Sequence, residues 1–100
     1  DYIYIDDLVA FMLAAVRTEL EGVFNVGSAQ GTSLRELLAV IANVSCLDPP
    51  VEFLPPRGFD VHTVVLDTAK ARHATGWVPQ VALPEGCARY WSWLTRLPES

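Results

Sequence analysis

Residues 22–44 read GVFNVGSAQGTSLRELLAVIANV, and three kinds of local structure follow one another there. Val23, Phe24 and Val26 are β-branched or aromatic, the side chains a strand prefers. Gly27-Ser28-Ala29-Gln30-Gly31 interrupts them, since glycine reaches backbone angles that other residues resist. Ser33 and Glu36 stand at capping-box spacing, where each side chain can satisfy a free backbone donor at a helix start. Leu34, Leu37, Leu38, Ile41 and Ala42 follow at i, i+3, i+4, i+7 and i+8, one apolar face of a helix.

On the N-terminal side, Asp1-Tyr2-Ile3-Tyr4-Ile5 is a short β-type run, and Tyr2 and Tyr4 read as strand residues rather than catalytic acids. Asp6 or Asp7 is placed to cap the next helix and to put negative charge on its first turn. That helix, expected over about Leu8 to Glu19, has no polar side from Leu8 to Val16. A helix that is apolar all round is buried all round. A chain of 100 residues surrounds one helix only with difficulty, so one face is expected to meet a partner: further sequence of a longer protein, or another subunit. Leu20-Glu21-Gly22 ends the helix, with Gly22 near the position that favours left-handed backbone.

On the C-terminal side, Ser45 to Pro50 is a connector and Val51-Glu52-Phe53-Leu54 a short strand. Pro55-Pro56-Arg57-Gly58-Phe59-Asp60 is a loop, because two prolines and a glycine forbid regular pairing. Val64-Val65-Leu66 is another strand candidate. Asp67 or Thr68 can cap a short helix over Ala69 to Thr75, which Gly76 stops. Pro84 fits the first turn of a last helix running to about Leu94, with Cys87, Tyr90, Trp91 and Leu94 as its stripe. Trp77 and Trp91 read as packing residues, and Trp93 falls on a different face from Trp91.

Composition narrows the function classes. The net charge is −5 and the pI about 4.7, and the seven basic residues are scattered, which argues against a nucleic-acid polymer or a membrane surface as partner. A hydrophobic fraction of 51% and a mean hydropathy of +0.26 are high for a single domain this small. Cys46 and Cys87 are far apart and outside any Cys-x-x-Cys pair, and two free buried thiols in a reducing cytoplasm are expected. Leu8 to Val16 is too short to span a bilayer and lacks the flanks of a signal peptide. Asn43-Val44-Ser45 is a formal glycosylation sequon, read as chance. His62 and His73 have no ligand-spaced neighbours, so no metal site is expected. Gly-x-Gly-x-x-Gly, a P-loop and Tyr-x-x-x-Lys are absent from the 100 residues. The turn at Gly27 to Gly31 reads as a tight connection rather than a phosphate cradle, and Asp6-Asp7 as helix capping rather than an acid–base pair.

D-Y-I-Y-I-D-D-L (1–8), G-V-F-N-V-G-S-A-Q-G-T-S-L-R-E-L (22–37), R-G-F-D (57–60) and L-D-T-A-K-A-R…G-W-V-P (66–79), taken in order, resemble the C-terminal part of the NAD-dependent epimerase/dehydratase family. These are extended short-chain dehydrogenase/reductases acting on nucleotide sugars, and the resemblance covers essentially the whole chain. It implies that the family's dinucleotide fingerprint and catalytic Tyr-x-x-x-Lys belong to sequence upstream of Asp1. It also implies roles for two residues. Arg57 takes the place of the Arg that contacts the nucleotide diphosphate, where a guanidinium fork matches phosphate oxygens; Asp60 takes that of the Asp that accepts from a ribose hydroxyl. The family's Gly before that Asp is Phe59 here. Asp67-Thr68-Ala69-Lys70 resembles the family's Asp-x-Ser-Lys and is read as a helix start, and Ala82 stands where relatives carry a capping Ser or Thr.

The expectation is therefore an α/β fold: the C-terminal substrate-binding portion of an extended short-chain dehydrogenase/reductase, with three to four helices and a few short strands. Residues 1–100 form one partial domain without the dinucleotide-binding domain. The implied function is the nucleotide-sugar-binding portion of an NAD-dependent epimerase or dehydratase, inactive as this chain. The alternative is a non-catalytic binding or assembly module derived from that family. Arg57 and Asp60 are the substrate-binding candidates; no catalytic, cofactor-binding or metal-binding residue is assigned. NAD belongs to the parent. The expected partners are a UDP- or dTDP-sugar and either a second copy or the missing N-terminal domain, in the cytoplasm.

Overall fold

The structure, a computed structural model, describes residues 1–48, 50–55, 57–59 and 62–98. Four helices are present, α1 (Ile5–Arg17), α2 (Leu34–Ser45), α3 (Ala69–Thr75) and α4 (Leu83–Arg96). The four-helix end of the expectation holds, but the strands do not. Asp1–Ile5, Val23–Val26, Val51–Leu54 and Val64–Leu66 pair into no ladder among the described residues. β-preference is a preference for packing against paired neighbours, and a run without a neighbour has nothing to realise it. One isolated contact remains: the Asp1 backbone nitrogen donates to the Val64 carbonyl at 2.9 Å.

Helix α1 starts three residues earlier than its apolar run and ends two earlier than expected. Its N-cap is Tyr4, with no side-chain cap. Asp6 and Asp7 do place negative charge on the first turn, but Asp7 is not the cap. It is buried, and its carboxylate turns away to accept from the Gln80 and Val81 amides, both at 3.0 Å. The Asp7 carbonyl accepts from the Trp77 indole Nε1 at 2.9 Å. A buried carboxylate persists only when such donors replace its water. At the other end Thr18 caps α1, and Gly22, at φ +105°, has the left-handed backbone expected of it, with Glu19 at φ +51° as a second such position.

The core lies between α1, α3 and the loops around them. Phe11, Ala71 and Trp77 are buried, and Ile3, Ala15, Leu20, Phe24 and Val26 pack on them. Phe11 meets Trp77 edge-on, with centroids 5.5 Å apart and planes at 67°, an arrangement that sets a positive ring edge against a negative face. Helix α3 has the expected bounds. The Asp67 carboxylate accepts from Ala69 N at 3.0 Å, and Gly76 closes the helix at φ +76°, an angle glycine adopts without strain. Lys70 reaches back to donate to the Val23 carbonyl at 2.8 Å, with its ammonium 4.5 Å from the Phe24 ring centre.

Helices α2 and α4 pack on each other. Ser33 caps α2 by accepting from Glu36 N at 3.1 Å, one half of the expected capping box. Helix α4 runs two residues past Leu94, with Pro84 in its first turn and Ala82 at the N-cap without a side-chain bond. Leu37, Ile41 and Val44 of α2 face Cys87, Trp91 and Leu94 of α4 across an apolar groove of about 390 Å³. Both thiols are free, but the burial expected of them holds only in part: Cys46 is exposed on the αL cap of α2, and Cys87 is half-buried. Tyr2 and Tyr4 also serve differently from strand residues, since the Tyr4 ring rests on Gly86 of α4.

The chain is extended for its size. Its radius of gyration is 16.3 Å, against about 13 Å for a compact chain of this length. No helix among the described residues is long and apolar enough to cross a membrane.

Candidate functional site

The turn at Gly27–Gly31 positions the region around the candidate loop. The positive φ in it, +61°, belongs to Ala29 rather than to a glycine. Gly27 is needed for proximity instead: a Cβ there would stand 2.8 Å from the Asp1 carboxylate. That carboxylate accepts from Ser28 N and Ser28 Oγ, each at 2.7 Å, from Ala29 N at 3.2 Å and from Leu66 N at 3.0 Å. Asp1 thus joins three segments distant in sequence. A tight connection was the expected reading of this turn, and a connection it is, built around a carboxylate. The Ser28 and Ala29 amides are both engaged by that carboxylate.

A cleft of about 760 Å³ opens beside this junction, between Gly31–Arg35 at the start of α2, Phe53, and His62–Val65. The Arg35 guanidinium lies 5.5 Å from the Phe53 ring centre, so a cation and an aromatic face share one wall. Thr32 and Thr63 add hydroxyls, and His62 an imidazole. At the start of α2 the Ser33 hydroxyl accepts from the Glu36 amide at 3.1 Å. Such walls suit an anion joined to a planar or sugar ring.

Arg57 is exposed and lies outside the lining of that cleft. Its guanidinium covers the Phe59 ring, 4.8 Å from the centre. The departure from the family's glycine therefore has a local use: Phe59 gives the arginine a face to rest on. Asp60, the second candidate, lies outside the described residues. Arg35, Phe53 and His62 were not singled out for a site by their sequence pattern. Each is a lone side chain in its stretch, and only the folded chain brings them to one cleft.

Elsewhere, burial pushes the Cys87 thiol up from its ordinary value. The Glu85 carboxylate, 2.6 Å from Arg89 and hydrogen-bonded to it, holds that guanidinium above its usual value. Among the described residues no three His, Cys, Asp or Glu side chains gather as a metal site would require.

No family model matches the chain. It is 40% identical over 97 residues to UDP-glucose 4-epimerase of Rhizobium leguminosarum bv. trifolii, a match covering 93% of this chain and 30% of the relative. It is 46% identical over 91 residues to UDP-glucose 4-epimerase of Mycolicibacterium smegmatis, covering 89% of this chain and 29% of the relative. The UDP-glucose 4-epimerase of Caenorhabditis elegans is 33% identical over 105 aligned positions, covering 99% and 30%. The chain thus spans about 30% of the length of the curated relatives it matches.

Proposed function

We propose that this chain belongs to the NAD-dependent epimerase/dehydratase family and is the nucleotide-sugar-binding portion of a UDP-glucose 4-epimerase-like protein. Arg57 contacts the diphosphate and Asp60 the ribose. The supporting observation is the alignment: relatives named for one UDP-sugar match nearly all of this chain at 40% and 46% identity. Chemistry supports it too. A planar guanidinium on an exposed loop, steadied by an aromatic ring, is preorganised to grip two phosphate oxygens at once. The bound NAD that takes up and returns the hydride belongs to the part of the parent that this chain does not match, as do the catalytic Tyr and Lys. The protein works in the cytoplasm, and alone this chain binds without turning substrate over.

Isothermal titration tests the assignment. UDP-glucose binds the chain in the micromolar range, dTDP-glucose more weakly, and Arg57→Ala abolishes both. Equal heats for wild type and Arg57→Ala would overturn it.

The second reading is a non-catalytic binding or assembly module. The exposed apolar side of α1 favours it, since Val16 is 76% exposed on a helix with no charge between Asp7 and Arg17. A stable homodimer that ignores both nucleotide sugars is the result that would select it.

A further inference from the structure

The Asp1 carboxylate has no acceptor capacity left for a ligand. Its Oδ1 accepts from Ser28 N and Ser28 Oγ, each at 2.7 Å, and its Oδ2 from Ala29 N at 3.2 Å and Leu66 N at 3.0 Å. An ionised carboxylate offers about four lone-pair sites, and four donors fill them. The Asp1 backbone nitrogen adds a donation to the Val64 carbonyl at 2.9 Å.

These partners belong to two segments, and each segment runs into a different wall of the cleft beside the junction. Ser28 and Ala29 lead to Gly31–Arg35, and Ser28 Oγ accepts from Gln30 N at 3.2 Å, which extends the connection toward that wall. Val64 lies within the His62–Val65 wall, and Leu66 follows it directly. Among the described residues no hydrogen bond runs straight from residues 27–35 to residues 62–66; the two segments are joined through Asp1. Where they do meet the contact is apolar and close, since a Cβ on Gly31 would stand 3.3 Å from Val65 Cγ2. Apolar contact is non-directional and lets one surface slide on the other, whereas hydrogen bonds fix angle as well as distance. The placement of one wall relative to the other is therefore set by a single carboxylate.

We propose that Asp1 is a positioning residue for this cleft: it sets the two walls at the separation a nucleotide sugar needs, and acts on the ligand only through them. The identity of the ligand rests on the nucleotide-sugar reading above; the clasp itself does not.

The test compares UDP-glucose binding by wild type, Asp1→Ala and Asp7→Asn, each shown to be folded by circular dichroism. Asp7→Asn disturbs a carboxylate that holds backbone around the core, away from the cleft, and so controls for lost stability. Asp1→Ala weakens binding by about tenfold or more, while Asp7→Asn binds as wild type does. Unchanged affinity in Asp1→Ala, or an equal loss in Asp7→Asn, overturns the inference. If Asp1→Ala does not fold, Ser28→Ala takes its place. It removes one of the four donors and the bond to Gln30, and weakens binding about threefold; unchanged affinity there overturns the inference as well. If wild type itself ignores UDP-glucose, the nucleotide-sugar reading fails and the clasp is judged without ligand. Amide NMR signals of Thr32 and Arg35 on one wall and of Thr63 and Val64 on the other then move together in whichever of the two variants folds. Changes confined to Ser28, Ala29 and Leu66 overturn it.

Discussion

Around Phe11 the chain closes on itself. Trp77 is 8% exposed, its indole donates to the Asp7 carbonyl, and the Asp7 carboxylate takes two further amides from residues more than 70 positions away. Between Val51 and Val65 the opposite holds. Every described residue of that segment is exposed, Phe53 and Phe59 among them, and their rings meet guanidinium groups instead of a core. The first region spends its polar groups on holding its own backbone. The second leaves cations and aromatic faces turned outward, which costs stability and is reasonable only where a ligand or partner repays it. The proposed recognition role and the stability of the chain therefore fall on different residues, and substitutions can separate them.

The largest effect is expected at Trp77. Trp77→Ala removes the edge-on contact with Phe11 and the indole bond to Asp7, and loses about 3–5 kcal/mol in urea unfolding. Asp7→Asn comes next. The amide offers one acceptor where Gln80 N and Val81 N need two, and its own NH2 then faces a donor; about 2 kcal/mol is lost. Ser33→Ala removes the cap of α2 and costs about 1 kcal/mol, with helicity at 222 nm falling slightly. Arg57→Ala leaves the urea midpoint where it was while binding of UDP-glucose is lost, which separates the two regions most sharply. The smallest effect is kinetic: iodoacetamide at mildly alkaline pH labels exposed Cys46 before Cys87, whose thiol burial pushes up. The linkage has a definite sign. A thiol raised in the folded state gives stability below its unfolded pKa, and this is lost as pH climbs through the folded value, so Cys87 adds to alkaline destabilisation.

What could be read in the sequence was whatever depends on neighbours in the chain. The bounds of α3, its stop at Gly76, the Ser33 cap of α2 and Pro84 in the first turn of α4 are all local matters. The apolar circumference of α1 also announced a face without internal cover, and the exposed Ile5-to-Val16 stripe is that face. What could not be read depends on distant partners. Asp7 looks like a cap until Gln80 and Val81 arrive, and the Gly27 turn looks like a loop of special angles until Asp1 enters it. The strands failed for a related reason. Val23, Phe24 and Val26 have the right side chains, but a ladder requires a second backbone, and the described residues supply none. At the candidate site, Arg57 was legible as a motif position, whereas the Arg35–Phe53 pairing joins residues 18 apart that no motif links.

Titration of UDP-glucose into isotopically labelled chain, followed by amide and indole NMR signals, tests the central claim most directly. The account predicts shifts concentrated at Arg57, Gly58 and Phe59 and at the cleft residues Arg35 and His62, with the Trp77 indole signal unmoved. Shifts confined to α1 and α3, or a spectrum unchanged at saturating UDP-glucose, would contradict it.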